Sequence, residues 1–244
     1  MIVTGASRGI GAATARLLAA RGRPILVNYA HDLARADEVV TSIRMAGGVA
    51  LAVRADVSKE DDVVAMFDAA ARELGTVSGL VNNAAVVGTF GRLEDVAAAA
   101  VKEVLATNVL GAFLCTREAV RRMSTRHGGA GGAIVNVGSL AARTGAANEW
   151  VHYAASKGAV HTMTIGVARE VAGDGIRVNC VSPGLIETEL HARSGQPDRL
   201  ERLRPGIPMQ RPGTAEEVAS AIAWLLSDDS SYVTGAILEI GGGR

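Results

Sequence analysis

The sequence predicts an α/β fold in which a doubly wound parallel sheet of about seven strands is flanked by helices on both faces. Short runs rich in β-branched and aliphatic residues alternate along the chain with segments in which apolar residues recur every three or four positions. Glycines and helix-capping residues mark several of the boundaries between these segments. The alternation predicts strands at residues 2–4, 25–28, 50–53, 80–82, 133–137, 176–181 and 237–240.

Helices are predicted between these strands from apolar spacing and capping residues. The first covers the apolar positions that follow Ile10 and ends at Gly22, and a long helical pattern covers residues 96–123. A further helix contains Tyr153. Capping boxes are expected at Ser58 with Asp61 and at Thr214 with Glu217.

Length and composition narrow the class of protein. With 244 residues, of which 48% are hydrophobic, residues 1–244 are expected to form a single domain. The 25 basic residues balance the 25 acidic residues, which argues against nucleic acid as a partner. No leader or apolar run of membrane-spanning length is evident, so a cytoplasmic protein without a membrane partner is expected. Cys115 and Cys180 lie in apolar segments and are expected to be buried, reduced thiols, with no metal site.

A tyrosine, a lysine and a serine indicate proton-transfer chemistry. Tyr153 and Lys157 are four residues apart, so on a helix they share a face, and the ammonium group can favour the phenolate. A free phenol has a pKa of about 10, which a neighbouring cation lowers. Ser139 can hold a substrate oxygen against the phenol. Tyrosine and lysine at this spacing are also common surface neighbours, so the pair alone does not establish catalysis.

A glycine turn indicates a nucleotide site. Residues 4–11 join the first strand to the first helix, where glycines allow backbone N–H groups to approach a pyrophosphate. The spacing is not the G-x-G-x-x-G of the familiar dinucleotide fingerprint. Asp56 and Asn82 stand at the carboxyl ends of the third and fourth strands, where open α/β sheets bind ligands. Each has a structural alternative, since Asp56 can cap a turn and asparagines can satisfy buried backbone groups.

The chain resembles the short-chain dehydrogenase/reductase family from Thr4 to Gly243, which implies a Rossmann-type fold. The motifs that carry the resemblance appear in family order: the glycine turn, Asn82-Asn83-Ala84, Asn108, Ser139, Tyr153, Lys157, and Pro183-Gly184 through Thr188. Within the family, residues 151–160 and 207–211 resemble bacterial members described as glucose or ribitol dehydrogenase-like oxidoreductases. Ala85 departs from the family pattern, which usually has glycine there. The interval from Ser139 to Tyr153 is one residue longer than is commonest.

The resemblance implies hydride transfer between a nicotinamide cofactor and a small carbonyl or secondary-alcohol substrate. It implies that Tyr153 acts as the general acid or base and that Ser139 donates a hydrogen bond to the substrate oxygen. It also implies that Lys157 keeps the tyrosine acidic and that Asn108 holds a water that links Lys157 to solvent. For Asn108, a helix kink or a buried polar contact is the alternative. The implied cofactor contacts are Gly5, Ser7, Arg8, Gly9, Ile10, Gly11, Asn28, Tyr29, Asp56, Val57, Asn82, Asn83, Ala84, Tyr153, Lys157, Pro183, Gly184, Ile186 and Thr188.

The choice of cofactor depends on the end of the second strand. Relatives that prefer NAD usually carry an acid there, whereas this chain has Asn28 and Tyr29. Arg8 in the glycine turn can pair with a 2′-phosphate, so NADP(H) is favoured. NAD(H) stays open, because Asp32 can restore NAD binding if the turn brings it back.

The sequence narrows the substrate and the oligomeric state less than it narrows the fold. The substrate is expected to be a sugar or polyol, with a 3-oxoacyl thioester as the alternative. Two alternatives lie outside this class of enzyme: a non-catalytic NADP(H)-binding sensor and a methyltransferase-like protein. Residues 187–213 are expected to form a substrate lid, and the loop at residues 140–151 to determine specificity. The resemblance implies a homotetramer, or a dimer, with the long helix and the Tyr153 helix between subunits. Candidate pocket residues are Trp150, His152, Leu185, Leu190 and His191.

Overall fold

A seven-stranded parallel sheet forms the centre of the computed structural model, which describes residues 1–190 and 194–244. The strands run in the order β3-β2-β1-β4-β5-β6-β7, and each paired strand is parallel to its neighbour. The predicted α/β class is therefore confirmed. The strands are β1 (Ile2–Val3), β2 (Ile25–Tyr29), β3 (Ala50–Arg54), β4 (Gly79–Asn82), β5 (Gly132–Val137), β6 (Ile176–Pro183) and β7 (Ile237–Ile240).

Helices connect successive strands. Their bounds are α1 (Gly9–Ala20), α2 (Leu33–Met45), α3 (Glu60–Leu74), α4 (Ala98–Leu105), α5 (Gly111–Met123), α6 (Ala141–Thr144), α7 (Val151–Val171), α8 (Arg199–Leu203) and α9 (Ala215–Leu225). Helix α2 was not among the predicted helices. It begins after Asp32, whose carboxylate accepts a hydrogen bond from the backbone N–H of Arg35. An aspartate at this position satisfies a donor that the helix itself cannot pair.

Alternate side chains of the strands enter two separate cores. Ile2, Leu26 and Leu80 face one core, whereas Val3 and Val27 face the other. This is the two-residue period of a strand that is buried on both faces. Helices α1, α2 and α9 cover the face of Val3, and α3, α5 and α7 cover the face of Ile2. Both faces are thus closed, and ligands reach the sheet at its edge.

The two expected capping boxes have different outcomes. Thr214 and Glu217 form one, because each side chain accepts a hydrogen bond from the backbone of the other. Ser58 and Asp61 do not, and that expectation is wrong. Helix α3 begins after Lys59, which makes no side-chain cap, and the Ser58 hydroxyl donates to Asp56 at 2.7 Å. The carboxylate of Asp56 competes successfully for the serine because it is only two residues away.

Helices α4 and α5 form one long helix, interrupted by a π-helical turn at Ala106–Leu110. By length and composition alone, the span Ala98–Met123 is apolar enough to cross a bilayer, because an 18-residue stretch within it has a mean hydropathy of 1.5. This differs from the expectation that no such run exists. The helix packs on the sheet, however, with Leu114, Cys115, Ala119 and Met123 in the core. Core helices pass the same composition test, so the helix is weak evidence for a membrane span.

Both cysteines are free and buried. Burial raises the pKa of the Cys115 thiol to about 12 and that of the Cys180 thiol to about 11. Because the thiolate is the nucleophilic form, these side chains act as small apolar core residues at neutral pH.

Candidate active site

A groove of about 1200 Å³ crosses the carboxyl edge of the sheet. It passes over the ends of β1 and β4, where the strand order reverses, which is the usual ligand site of an open α/β sheet. We call it the main groove. It reaches from Arg8 and His31 at one end to Tyr153 and Lys157 at the other. Of the residues expected to contact a cofactor, it is lined by Gly5, Ser7, Arg8, Gly9, Ile10, Asn28, Asp56, Val57, Asn83, Ala84, Tyr153, Lys157, Pro183, Gly184, Ile186 and Thr188.

The glycine turn has the shape that backbone recognition of an anion requires. Gly5 has a φ of +59°, and a Cβ there would lie 2.8 Å from the Cα of Ala84. Glycine is therefore needed for both conformation and space. Arg8 precedes α1 without a side-chain cap, so N–H groups of the first turn have no side-chain acceptor there. Gly11 lies outside the groove; a Cβ there would lie 2.5 Å from Nδ2 of Asn83.

Asn83 fixes the glycine turn in place. Its side-chain amide donates to the carbonyl oxygens of Thr4 and Gly5, both at 2.9 Å. The Thr4 hydroxyl in turn accepts from the backbone N–H groups of Asn83 and Ala84, both at 3.0 Å. The ends of β1 and β4 are thus joined by side-chain bonds beneath the groove. The neighbouring Ala85 is not in the left-handed region, so the departure from glycine there introduces no backbone strain.

Asn82 lies outside the groove, and its side chain forms hydrogen bonds with two other side chains. Its amide donates to the Thr116 hydroxyl and to Oδ1 of Asn136, both at 2.9 Å. Asn136 continues the chain to the hydroxyl of Thr164, also at 2.9 Å. The network is buried and ties β4 and β5 to α5 and α7. Asn82 thus bonds to side chains, whereas Asn83 is the asparagine that bonds to backbone groups, as the structural alternative expected.

The end of β2 differs from the arrangement that the sequence suggested. Asn28 is buried, accepts from the backbone N–H of Gly5 at 3.1 Å, and donates to the carbonyl oxygen of Ala55 at 3.0 Å. Tyr29 is 9% exposed and packs in the core, outside the groove. Asn28 itself lines the groove, and so do Ala30, His31 and Asp32. A single sequence does not tell which of these successive side chains faces a ligand.

Arg8 and Asp32 form an ion pair with a distance of 2.6 Å between Nη2 and Oδ2. Both side chains are partly exposed, and both line the same end of the groove. Asp32 is therefore brought back toward the glycine turn, and Arg8 is not merely a solvated side chain.

Asp56 lines the groove while its carboxylate accepts from the backbone N–H and the hydroxyl of Ser58. Burial by itself would raise the pKa of Asp56. The hydrogen bonds from Ser58 and the charges of Lys59 and His31 outweigh burial, so the pKa lies below its ordinary value. Asp56 is thus an anion that caps a turn, as its structural alternative proposed. Val57 lines the groove beside it.

Tyr153, Lys157 and Ser139 meet at the other end of the groove. The Nζ atom of Lys157 lies 5.6 Å from the centroid of the Tyr153 ring and donates to the carbonyl oxygen of Val137 at 2.7 Å. Lys157 is only 3% exposed, which rules out the reading as ordinary surface neighbours. Burial lowers the pKa of Lys157 to about 8. The ammonium group is therefore still charged at pH 7.

The pKa of Tyr153 does not follow the simple expectation of a neighbouring cation. Burial raises it above the ordinary value, and a hydrogen bond with the Ser139 side chain and the charge of Arg199 oppose that rise. Burial is the larger effect. The phenol is thus held in its protonated form at neutral pH, the state that can donate a proton.

Asn108 lies within the π-helical turn and links three segments. Its Nδ2 donates to the carbonyl oxygen of Val86 at 2.8 Å and to the hydroxyl of Ser156 at 3.0 Å, and its Oδ1 accepts from the N–H of Val86 at 2.9 Å. Ser156 then donates to the carbonyl oxygen of Tyr153 at 2.7 Å. π-helical turns are frequent at functional sites. The buried polar contact that was an alternative for Asn108 is present.

A small cavity of about 10 Å³ lies beside Asn108 and Lys157. Cavities of this size hold about one water molecule when polar groups line them. Asn82 also borders the cavity.

A second cavity, of about 430 Å³, opens beside Tyr153 and Ser139. We call it the side cavity. Of the candidate pocket residues, Trp150, Leu185 and Leu190 line it; His152 is buried and lines neither the main groove nor the side cavity, and His191 lies outside the described residues. Glu149, Arg199 and Arg202 also line it. These were missed in the sequence, where nothing links Glu149 to an arginine 50 residues away.

The loop before Tyr153 accommodates its extra length with unusual backbone. Ala146 has a φ of 46° and Asn148 a φ of 61°, directly after Gly145, which has a φ of 77°. Left-handed conformations in residues other than glycine cost energy and cluster at functional sites. This loop presents Glu149 and Trp150 to the side cavity.

Three comparisons place the chain among known proteins. A family model described as enoyl-(acyl carrier protein) reductase matches residues 5–244. The chain is 54% identical over 243 residues to the uncharacterized oxidoreductase YgfF of Escherichia coli strain K12, covering 100% of this chain and 98% of the relative. It is 43% identical over 244 residues to cis-4-hydroxycyclohexanecarboxylate dehydrogenase of Sinomonas cyclohexanicum, covering 99% and 94%. A short-chain dehydrogenase of Burkholderia cenocepacia J2315, solved in complex with NADP, matches with a TM-score of 0.91 at 33% identity, covering 99% and 96%.

Proposed function

Because the chain belongs to the short-chain dehydrogenase/reductase family, we propose that it transfers a hydride between NADP(H) and a carbonyl or secondary-alcohol carbon, with Tyr153 as the general acid or base. The observation that carries this proposal is that Tyr153, Ser139 and the buried Lys157 meet at one end of the main groove. A non-catalytic sensor would have no use for that arrangement. A methyltransferase-like protein would likewise leave the tyrosine and lysine without a role.

The main groove fits a dinucleotide. Its volume of about 1200 Å³, the positive φ of Gly5 and the uncapped start of α1 together suit a long ligand that carries phosphates. We assign the pyrophosphate to the glycine turn and the adenosine to the end that Arg8 and Asp56 line. The nicotinamide end would be held by Ile186 and Thr188 at the carboxamide and by Tyr153 and Lys157 at the ribose. A bound nicotinamide supplies the hydride for reduction or accepts it for oxidation.

The residues of this chain supply the proton and hold the substrate. In reduction, the Tyr153 hydroxyl donates its proton to the oxygen that becomes the alcohol, while Ser139 donates a hydrogen bond to the same oxygen. The raised pKa of Tyr153 keeps it protonated for this step. Lys157 stabilises the phenolate that remains, and the small cavity beside Asn108 is the site we propose for a water that returns the proton.

Cofactor preference is tested by separating the ion pair of Arg8 and Asp32. Asp32→Ser keeps a side chain that can cap α2 but frees Arg8 for a 2′-phosphate. We expect a rise of at least threefold in the ratio of kcat/KM with NADPH to that with NADH. Arg8→Ser is expected to lower the ratio about tenfold, the usual scale for one charge-assisted hydrogen bond. A ratio that Arg8→Ser leaves unchanged would contradict the NADP(H) assignment.

Residues 187–213 are proposed as a lid over the side cavity within one domain, residues 1–244. The two ends of this segment are held together by backbone hydrogen bonds. The N–H of Gly213 donates to the carbonyl oxygen of Leu185 at 2.9 Å, and the N–H of Glu187 donates to the carbonyl oxygen of Gly213 at 2.8 Å. Leu190, Arg199 and Leu203 of this segment line the side cavity. The base is thus fixed, while Leu190, Arg199 and Leu203 lie next to the proposed substrate. A cytoplasmic location stays a prediction.

A homotetramer is proposed from apolar side chains on the long helix and α7. Leu105, Leu110, Phe113 and Ile165 are each more than a third exposed in the isolated chain. Apolar side chains grouped in this way commonly mark a subunit contact. Light scattering after size exclusion is expected to give about four times the chain mass of 25.1 kDa. Phe113→Glu is expected to reduce that mass, and a monomeric wild-type protein at micromolar concentration would contradict the proposal.

The proposed activity is tested by following NADPH and NADH oxidation with a panel of carbonyl compounds. The panel contains aldoses and polyol-derived ketones, acetoacetyl thioesters, and simple cyclic ketones. Turnover of any of them with a reduced nicotinamide supports the proposed reaction. Cofactor binding without turnover across the panel would favour the sensor instead.

A further inference from the structure

The side cavity has an apolar floor next to the proposed catalytic residues. Phe90, Leu140, Trp150 and Leu185 line it, and the rings of Phe90 and Trp150 meet edge to face with centroids 5.0 Å apart. Its volume of about 430 Å³ suits a small molecule. Tyr153 and Ser139 border both this cavity and the main groove. A molecule in the side cavity therefore has its reacting carbon where the two spaces join.

One wall of the side cavity is basic. Arg199 binds Glu149 through two hydrogen bonds, at 3.3 Å and 2.6 Å, and its guanidinium group lies 5.1 Å from the centre of the Trp150 ring. Arg202 approaches the same carboxylate at 3.7 Å. Two guanidinium groups thus share one carboxylate. Arg244 also lines the cavity, and Glu149 is the one carboxylate side chain among its described lining residues.

The Arg199 pair is well shielded, whereas Arg202 faces solvent. The side chains of Arg199 and Glu149 are 13% and 17% exposed, and that of Arg202 is 54% exposed. Glu149 and Trp150 therefore hold Arg199 in a fixed position, and Arg202 keeps unsatisfied capacity for an anion. Guanidinium groups bind carboxylates in a planar, two-point geometry. A ligand that covers Arg202 without an anion would leave its charge uncompensated, which is costly.

The apolar floor argues against a polyhydroxylated ligand. Each sugar hydroxyl that faced Phe90 or Leu185 would lose its hydrogen bonds to water and gain none. A ligand with a carbon ring or a short carbon chain can pack on the apolar floor, and an anionic group at one end of it can bind the basic wall.

We propose that the substrate is a compact oxo acid, or the corresponding hydroxy acid, whose carboxylate binds Arg202 and Arg199 while its hydrocarbon body lies on Phe90, Trp150 and Leu185. This rests on the proposed oxidoreductase function and names its substrate class. In reduction, a C–H bond forms at the ketone carbon with two electrons from NADPH, and Tyr153 supplies the proton for the new hydroxyl. The carboxylate takes no part in the bond changes and serves to orient the ketone.

The test compares 4-oxocyclohexanecarboxylate with its methyl ester, which has the same ring and ketone but no charge. With saturating NADPH, we expect kcat/KM to be at least tenfold higher for the acid. In Arg202→Gln the ratio of acid to ester is expected to fall about tenfold, mainly through KM of the acid. Arg204→Gln is the matched control, because Arg204 carries the same charge two residues away but does not line the cavity. It is expected to change the ratio less than twofold.

A binding measurement separates this inference from the proposed function. Cyclohexanecarboxylate and cyclohexanecarboxamide, neither of which has a ketone, are titrated by calorimetry into the NADP-bound protein. The acid is expected to bind at least tenfold more tightly, and Arg202→Gln to abolish the difference, with thermal unfolding confirming that the variant is folded. Equal binding of acid and amide, or a preference for the ester in turnover, overturns the inference while leaving the reaction intact. Selective acid binding without turnover of any ketone overturns the proposed reaction but supports a carboxylate-binding site at Arg202.

Discussion

Replacing Tyr153 by phenylalanine is expected to lower kcat at least a hundredfold while the Kd for NADPH changes less than about threefold. The variant keeps the ring beside Lys157 but removes the only hydroxyl that the mechanism uses as an acid, and a positioned proton donor contributes a hundredfold or more. The measurements are steady-state ketone reduction and fluorescence titration with NADPH. Tyr232→Phe is the matched control, because it removes the same hydroxyl from a fully exposed position.

The pH dependence of the wild-type enzyme provides a second readout. Reduction requires protonated Tyr153, and burial raises its pKa, so reductive kcat is expected to be flat between about pH 6 and 7 and to fall as Lys157, with a pKa of about 8, loses its charge. Oxidation requires the phenolate, so oxidative kcat is expected to rise as the pH increases through the alkaline range. Near-normal turnover in Tyr153→Phe, or a reductive rate that rises with pH, would contradict the role of Tyr153.

Replacing Asn108 by leucine is expected to lower the free energy of unfolding by about 3 kcal/mol and the Tm by about 6–12 °C. The change removes three hydrogen bonds and takes the side-chain partner away from the partly buried N–H and carbonyl of Val86. It also places a methyl group beside the small cavity that Lys157 lines. We therefore expect kcat at 25 °C to fall at least tenfold in the fraction that remains folded.

Ser156→Ala is a milder variant that is compared with Asn108→Leu. It removes one of the three bonds to the Asn108 side chain and is expected to cost about 1 kcal/mol. Thermal unfolding and steady-state rates on both variants separate the two roles of Asn108. A lowered Tm with unchanged kcat in Asn108→Leu would show that Asn108 is only a structural tie and would contradict the proposed water relay.

The sheet could be predicted from sequence because its inner strands are short, mostly aliphatic and buried on both faces. Runs such as Ile25–Tyr29 and Gly132–Val137 leave little alternative to a covered parallel sheet. The Thr214 cap could also be predicted, since the capping-box spacing brings each side chain to the backbone N–H of the other residue. The cap at Ser58 could not, because Asp56 provides a stronger acceptor for the serine hydroxyl.

The proposed catalytic end of the site could be predicted from the sequence, whereas the proposed substrate end could not. Tyr153 and Lys157 lie on one helix, so their spacing fixes their proximity. Glu149 and Arg199 meet only because the lid segment folds back over the loop that precedes α7. The end of β2 was predicted only in part: Asn28 lines the groove, but Tyr29 packs in the core because successive side chains of a strand alternate between faces. Ala30 and His31, which follow the strand, also line the groove.

The central claim is most directly tested by a single-turnover measurement with NADPH bound to the wild-type protein and to Tyr153→Phe. The protein, in excess over NADPH, is mixed with 4-oxocyclohexanecarboxylate and with the other ketones of the panel, and NADPH absorbance and alcohol product are both followed. The account predicts one alcohol formed for each NADPH oxidised by the wild-type protein, and a rate at least a hundredfold lower in Tyr153→Phe. Tight NADPH binding with no alcohol formed from any ketone, or equal rates in the two proteins, would contradict it.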